Sequence, residues 1–353
     1  MSTSKKRTHR QEKLARIFDD EILPVWSQRF GRMLLRDLEL GERRQILDVC
    51  CGTGYPAIEI VRRLTGNSRL IAIDASSAML DIARKKVEEA GARGVFFRTE
   101  SASPRLSFAD DVYDLVVCNL GLTEMASPAR AVADFARVTK PGGQVRCTLP
   151  LEGTFQEFYD IYREVLTKHD RHDTLQRLNE HLGATYPSVA QCEQWMEAAG
   201  LDEVKVEVEH FTMLFRSSRE FFFAPVIEYG PLAGWKEIAG SGQEMQDVFW
   251  YIKEAIDAYF QDRAFAVTVV AGCLIGRKST DTVAEPPAPV AASPGTGEIE
   301  LVTDDIDIAE VMAQHAARSA RPETPAGTGS ETDDEEELDA FSEGKKRPEH
   351  LGE

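Results

Sequence analysis

The chain has 353 residues, 42% hydrophobic and 28% charged, with 59 Asp and Glu against 41 Lys and Arg for a formal net charge of −18. That length suits one large α/β domain with additions or two smaller ones, and the acidic balance argues against nucleic acid as a partner, because no basic face stands out beyond Lys5 to Arg16. No apolar stretch approaches the roughly 18 residues of a membrane span, and the start of the chain is basic and polar with no apolar core after it, so a cytoplasmic protein with no membrane span is expected.

Residues 12–40 repeat apolar positions at helical spacing through Leu14, Ile17, Phe18, Ile22, Trp26, Phe30, Leu34, Leu35 and Leu38, with Pro24 as a break; these helices are expected to cap a sheet. Apolar runs at 45–50, 69–74, 95–99, 113–119 and 144–149 then alternate with helical patterns, which implies a parallel sheet with helices on both faces. After Pro150 the spacing changes: 154–182 reads as one or two inserted helices, 188–199 as a helix ended by Gly200, and 204–215 as an alternating strand. The segment 217–260 is mostly helical with a loop at 230–235, and 265–276 is a final apolar strand. The fold class expected is therefore α/β: a seven-stranded, mostly parallel, Rossmann-like sheet with a helical cap and insertions.

The tail from Ser279 to Glu353 holds about 19 acidic and 5 basic residues, roughly −14 of the net charge, together with Pro-rich and Gly/Thr-rich stretches. Such a composition buries too little apolar surface to offset its chain entropy, so disorder is expected there. Within it, Thr303, Asp304 and Asp305 could cap a short helix carrying Ile308, Val311 and Met312, either a docking segment for a protein partner or a transient helix without one. The resulting division is 1–42 as an N-terminal helical cap, 43–150 as the core, 151–278 as helical insertions with the last two strands, and 279–353 as the tail. The six cysteines fall mostly inside apolar runs without metal-type spacing and read as small core residues; no metal site is expected.

The densest chemistry lies in Ile46 to Gly54. A buried strand ends in Asp48 and turns through Gly52 and Gly54, where the backbone can come close to a ligand without a Cβ in the way. Twenty residues on, a second strand ends in Asp74, suited to the two hydroxyls of a ribose. Gly52-x-Gly54-x-x-Ala57 with Asp74 also satisfies a dinucleotide fingerprint, in which helix-end amides receive a pyrophosphate. Asp48 tips the balance: negative charge is unwelcome beside a pyrophosphate but suits a cationic amino group, which S-adenosylmethionine carries.

Four ordered pieces, Leu47-Asp48-Val49-Cys50-Cys51-Gly52-Thr53-Gly54, Ile73-Asp74-Ala75-Ser76-x-x-Met79-Leu80, Tyr113-Asp114-Leu115-Val116 and Lys140-Pro141-Gly142-Gly143, resemble the class I S-adenosylmethionine-dependent methyltransferases, especially the quinone-ring group. The resemblance covers about residues 43–150. It implies that Asp48, Cys50, Gly52 and Gly54 cradle the methionine half, that Asp74 binds the ribose, that Ala75 and Met79 flank the adenine, and that Asn119 faces the methyl group. Two departures stand out. Cys50 occupies the position where the family more often has its first glycine. The acid expected near the adenine is either Glu100, beside Ser101 and followed by two extra residues, or absent. The layout after the fifth strand is similar to that of malonyl carrier-protein O-methyltransferase.

The reading is of in-line methyl transfer to a small molecule, carrier-bound or quinone-like, with an alternative in which a catalytically silent methyltransferase-like domain acts through its acidic tail. No catalytic base is legible. His169, His172 and His181 could supply one or form a solvated helix face. Phe155, Phe158, Tyr159 and Tyr162 could line an acceptor pocket or pack on the core, as could the triplet 221–223.

Overall fold

In the computed structural model, residues 2–280 are described apart from Glu39 and Asp262, with residues 2–8 described as backbone only. The expected tail, with its docking segment, lies outside the described residues. The chain opens with α1 (Ser2–Ile17), a π turn (Phe18–Ile22) and α2 (Ser27–Leu35). It continues through β1 (Gln45–Val49), α3 (Ala57–Arg63), β2 (Arg69–Asp74), α4 (Ser77–Glu89), β3 (Val95–Thr99) and β4 (Tyr113–Asn119). After a 3₁₀ turn (Gly121–Glu124) come α5 (Pro128–Val138), β5 (Thr139–Pro150), α6 (Gln156–Lys168), α7 (His172–Thr185) and α8 (Val189–Ala198). Then follow β6 (Leu201–Phe215), α9 (Ser218–Phe223), α10 (Pro225–Glu228), α11 (Leu232–Ala239), α12 (Gly242–Phe260) and β7 (Phe265–Lys278).

The seven strands form one sheet in the order β3-β2-β1-β4-β5-β7-β6. The first five pair in parallel, and β7 runs antiparallel to both β5 and β6. Strand order reverses between β1 and β4, which opens a crevice beyond their carboxyl ends, where open α/β sheets take their ligands. Both faces are covered. One core joins Ile46, Leu70, Ala72 and Val117 of the strands to Phe30 and Leu34 of α2 and to α6, α7 and α9 to α12. The other joins Leu47, Val49, Ile73 and Cys118 to α5 and α8.

The structure departs from expectation in a few places. Helix α1 reaches back to Ser2, well before the apolar periodicity begins at Leu14, because Lys, Arg, Gln and Glu favour helix without leaving an apolar trace. Segment 232–235 is helical, not loop: Trp235 is fully buried and draws α11 onto the core. Strand β5 starts at Thr139, so the Lys140-Pro141-Gly142-Gly143 stretch lies within it, with a register shift opposite Tyr113–Leu115.

The aromatic row of α6 packs on the core. Phe158 stacks on Trp235 at 4.0 Å between ring centroids, Trp235 Nε1 donates to the Tyr159 hydroxyl at 2.8 Å, and the Tyr162 hydroxyl donates to the Trp235 carbonyl at 3.1 Å. Phe221 is buried in the same cluster. With their polar atoms satisfied and their faces covered, these rings fix the helical cover rigidly. Phe155 alone among the α6 aromatics reaches the N-terminal segment, stacking on Trp26 at 5.9 Å. All six cysteines are free thiols, and all but Cys50 are buried.

Candidate functional site

The crevice is built where β1, β2 and β4 end. After Val49 the chain enters the left-handed region at Cys50 (φ +58°), returns to it at Gly52 (φ +54°) and extends with φ +98° at Gly54 before α3 begins. The Cys50 conformation is one that glycine favours and other L-residues adopt at a cost. At Gly54 a Cβ would come within 3.0 Å of Ile58 and 3.2 Å of Ala83. Asp74 braces this turn: its Oδ2 accepts from the Gly52 amide at 2.8 Å and its Oδ1 from the Ser76 amide at 2.9 Å. Ser76 in turn caps α4 by accepting from the Met79 amide at 3.3 Å, so Asp74, Ala75 and Met79 are held as one unit.

Asp48 differs. It is wholly buried, and neither carboxyl oxygen has a hydrogen-bond partner among the described residues. Burial pushes its carboxyl well up, and the charge of Asp74 pushes it further; the Ala57 N–H lowers it only in part and makes no hydrogen bond to it. A buried carboxyl without a partner costs stability unless something else satisfies it. A cationic amino group would do so, while the missing Cβ at Gly54 lets the turn pack against Ile58 and Ala83. These residues fit the amino-acid half of S-adenosylmethionine and could hold it.

Asn119, the last residue of β4, is buried, with its Oδ1 accepting from the Thr148 hydroxyl at 2.7 Å and its Nδ2 donating to the Ser27 carbonyl at 3.2 Å. It keeps one N–H and one lone pair to offer a ligand. Glu100 stays at the end of β3, with its amide bonded to the Asp74 carbonyl at 3.0 Å, but its carboxylate faces its own loop. There it accepts from the Ser107 amide at 3.0 Å and pairs with Arg98 at 2.8 Å. Ser101 is engaged likewise, donating to the Ser103 carbonyl and accepting from its amide.

The structure brings Asp48, Cys50, Gly52, Gly54, Asp74 and Asn119 to one end of the sheet. It also adds residues that sequence reasoning passed over. Phe18 and Asp19 of the π turn lie on the glycine turn: Thr53 donates its hydroxyl to Asp19 Oδ1 at 2.5 Å, and Lys86 pairs with the same carboxylate. Nothing in the local pattern distinguished Asp19 from the acids beside it. Glu124 ends the 3₁₀ turn that follows Asn119. The turn opens at Gly121, where a Cβ would meet Cys50 and Cys118, and closes at Glu124. Its carboxyl has no partner among the described residues, and the surrounding protein raises its pKa although solvent reaches it. The three histidines make their contacts within the helical cover: His169 stacks on Tyr251, His172 is exposed, and His181 lies by Thr185 with its pKa lowered by burial.

A groove of about 610 Å³ runs between Val25 and Arg29 of the N-terminal segment, Phe211 and Met213 of β6, and Phe223 and Val226 beyond it. Its walls are mostly apolar, and the Arg29 guanidinium lies over the Phe211 ring at 5.3 Å. Among the described residues no helix is long and apolar enough to cross a membrane.

Comparison with known proteins gives a consistent result. The methyltransferase-domain family matches residues 46–143. Demethylmenaquinone methyltransferase of Halalkalibacterium halodurans is 28% identical over 221 residues, spanning 58% of this chain and 88% of that one. A ubiquinone/menaquinone biosynthesis C-methyltransferase of Idiomarina loihiensis is 29% identical over 175 residues, 46% of this chain and 69% of that one. The solved structure of a putative methyltransferase from Bacillus halodurans superposes with a TM-score of 0.49 at 18% identity, over 71% of this chain and 99% of that one.

Proposed function

Since the chain belongs to the class I S-adenosylmethionine-dependent methyltransferases of small molecules, we propose that it methylates a quinone-like ring acceptor. The observation that carries this reading is the likeness to demethylmenaquinone methyltransferase over 88% of that protein's length. The groove lined by Val25, Arg29, Phe211, Met213, Phe223 and Val226 is consistent with it: its size and lining suit the apolar body of such an acceptor, with Arg29 as a polar end.

In this reading the bound cofactor supplies an activated methyl group. Asp48 receives the cofactor's amino group, the Gly52–Gly54 turn gives it room, and Asp74 meets the ribose through the lone pairs not used by the Gly52 and Ser76 amides. Ala75 and Met79 flank the adenine, with Glu100 and Ser101 shaping the loop beside it. Asn119 faces the methyl group. The protein's main contribution is to hold donor and acceptor in line and to exclude water under α2 and the helical cover. A reduced quinone ring must lose a proton as its carbon is methylated, and Glu124 is the unpaired carboxylate we assign to accept it.

The test uses purified full-length protein, labelled S-adenosylmethionine and reduced demethylmenaquinone as the probe acceptor. Label in the quinone fraction is expected. Cofactor binding without any transfer to that probe, while label enters another small molecule of a cell extract, would refute the acceptor and leave the enzyme class standing.

A further inference from the structure

The glycine turn is held almost residue by residue by the N-terminal segment. A Cβ on Gly52 would stand 3.4 Å from the Phe18 ring. Thr53, fully buried, gives its hydroxyl to Asp19 Oδ1 at 2.5 Å, and Lys86 of α4 pairs with the same oxygen. Tyr55 donates its hydroxyl to the Gln28 carbonyl at 3.3 Å, and its ring lies so close to Gly31 that a Cβ there would come within 2.3 Å of it. The π turn that carries Phe18 and Asp19 is closed by an i→i+5 bond from the Leu23 amide to the Phe18 carbonyl at 2.8 Å. Such turns are rare, and here one sets two consecutive side chains onto the crevice turn.

We propose that Asp19 is a positioning residue for cofactor binding: through Thr53 and Lys86 it locks the Gly52–Gly54 turn in the shape that receives the cofactor. The inference rests on assigning that turn to the cofactor. A buried threonine hydroxyl has few alternatives if Asp19 is removed, and an unsatisfied donor at the centre of a strained turn favours other backbone conformations. Asp19 would then act on the cofactor without touching it.

The test uses the full chain and two readouts: amide hydrogen exchange at Gly52, Thr53 and Gly54 in the cofactor-free protein, and calorimetric titration with S-adenosylmethionine. Asp19→Ala and Thr53→Val are each expected to speed exchange at the turn and to weaken binding roughly ten-fold. The double variant should be no worse than either alone, because both remove the same link. Lys86→Met should move both readouts in the same direction, which guards against a single variant that fails to fold. Asp19→Asn, still able to accept from Thr53, should retain more affinity than Asp19→Ala. Wild-type exchange and affinity in Asp19→Ala, or additive losses in the double variant, would overturn the proposal. If the wild-type protein itself does not bind S-adenosylmethionine, the assignment of the turn fails, while the exchange rates still decide whether Asp19 positions it.

Discussion

Asp48 and Asp74 lie at the ends of neighbouring parallel strands and face the same turn, yet Asp74 accepts from Gly52 and Ser76, whereas both oxygens of the fully buried Asp48 lack a partner among the described residues. The two acids divide the work. Asp74 is a brace that builds the turn, and Asp48 is a buried carboxyl that a cation would satisfy. Burial raises both carboxyls, Asp48 the more because Asp74 repels its charge. The neighbouring thiols are pushed up as well, Cys50 by its hydrogen bond with Cys118 and by burial, Cys51 by burial and the two acids, so both stay neutral.

The first prediction concerns protons. In the cofactor-free protein the raised Asp48 carboxyl binds a proton that an unfolded chain would release near pH 4. Native stability from this group is therefore fully present below the unfolded value and lost as pH rises through the folded one. A cationic amino group needs the ionised form, so binding of S-adenosylmethionine should release a proton and tighten as pH rises toward the free-protein value. Calorimetry in buffers of different ionisation enthalpy would count that proton. Asp48→Asn should abolish its release, weaken cofactor binding by at least about ten-fold, and raise the melting temperature of the cofactor-free protein at pH 8. A variant that binds as wild type would remove Asp48 from the site.

Asp74→Ala should act differently. It leaves the Gly52 and Ser76 amides without their acceptor and also deletes the expected ribose contact. Each charge-assisted bond is worth about 1.5 to 3 kcal/mol, so the dissociation constant should rise by more than ten-fold and the cofactor-free protein should melt lower, the opposite of Asp48→Asn. An unchanged dissociation constant would refute the assignment.

Much of this was legible in the sequence because the strands of an open parallel sheet are short apolar runs whose last residues fall, by topology, at the ligand end. Asp48, Gly52, Asp74 and Asn119 could be found from such local patterns, and so could the strand bounds of β2, β3 and β4. What could not be read depends on long-range contacts. Asp19 meets Thr53 34 residues away, and Asn119 meets Ser27 across 92; neither pairing leaves a periodic trace. The aromatic row of α6 has the spacing of a buried face and of a pocket wall alike, and only Trp235, distant in sequence, decides that most of it is core. Glu100 sits where expected by sequence, but Arg98 and Ser107 turn its carboxylate away.

Cys50 and Gly121 form a compensating pair. Cys50 carries a side chain in the left-handed region that glycine favours (φ +58°), and a Cβ on Gly121 would meet Cys50 Cβ at 2.6 Å and the Cys50 and Cys118 sulfurs at 2.8 Å. Gly121→Ala should therefore destabilise the protein by about 1 to 3 kcal/mol through overpacking. Cys50→Gly vacates that space and relieves the left-handed strain at position 50, so Cys50→Gly with Gly121→Ala should recover much of the loss. Chemical denaturation of the two single variants and the double would measure it; strict additivity would mean that the two positions do not share the space.

The last prediction concerns Glu124. The surrounding protein raises its carboxyl although the residue is open to solvent, and no cation or hydrogen-bond donor among the described residues brings it back, so a larger fraction is protonated near neutral pH than for a free glutamate. Acting as a base it must be ionised, and kcat for reduced demethylmenaquinone should climb as pH rises through its folded pKa and then level off. Glu124→Gln should lower kcat by about 10² to 10⁴-fold, flatten that limb of the profile and leave S-adenosylmethionine affinity within a factor of two or so, because an amide of the same size keeps the turn from Gly121 to Glu124 intact. Glu124→Asp should restore part of the rate with the limb still present. A variant that loses cofactor affinity but keeps the pH limb would make Glu124 a structural residue and would leave the proton to another group or to water.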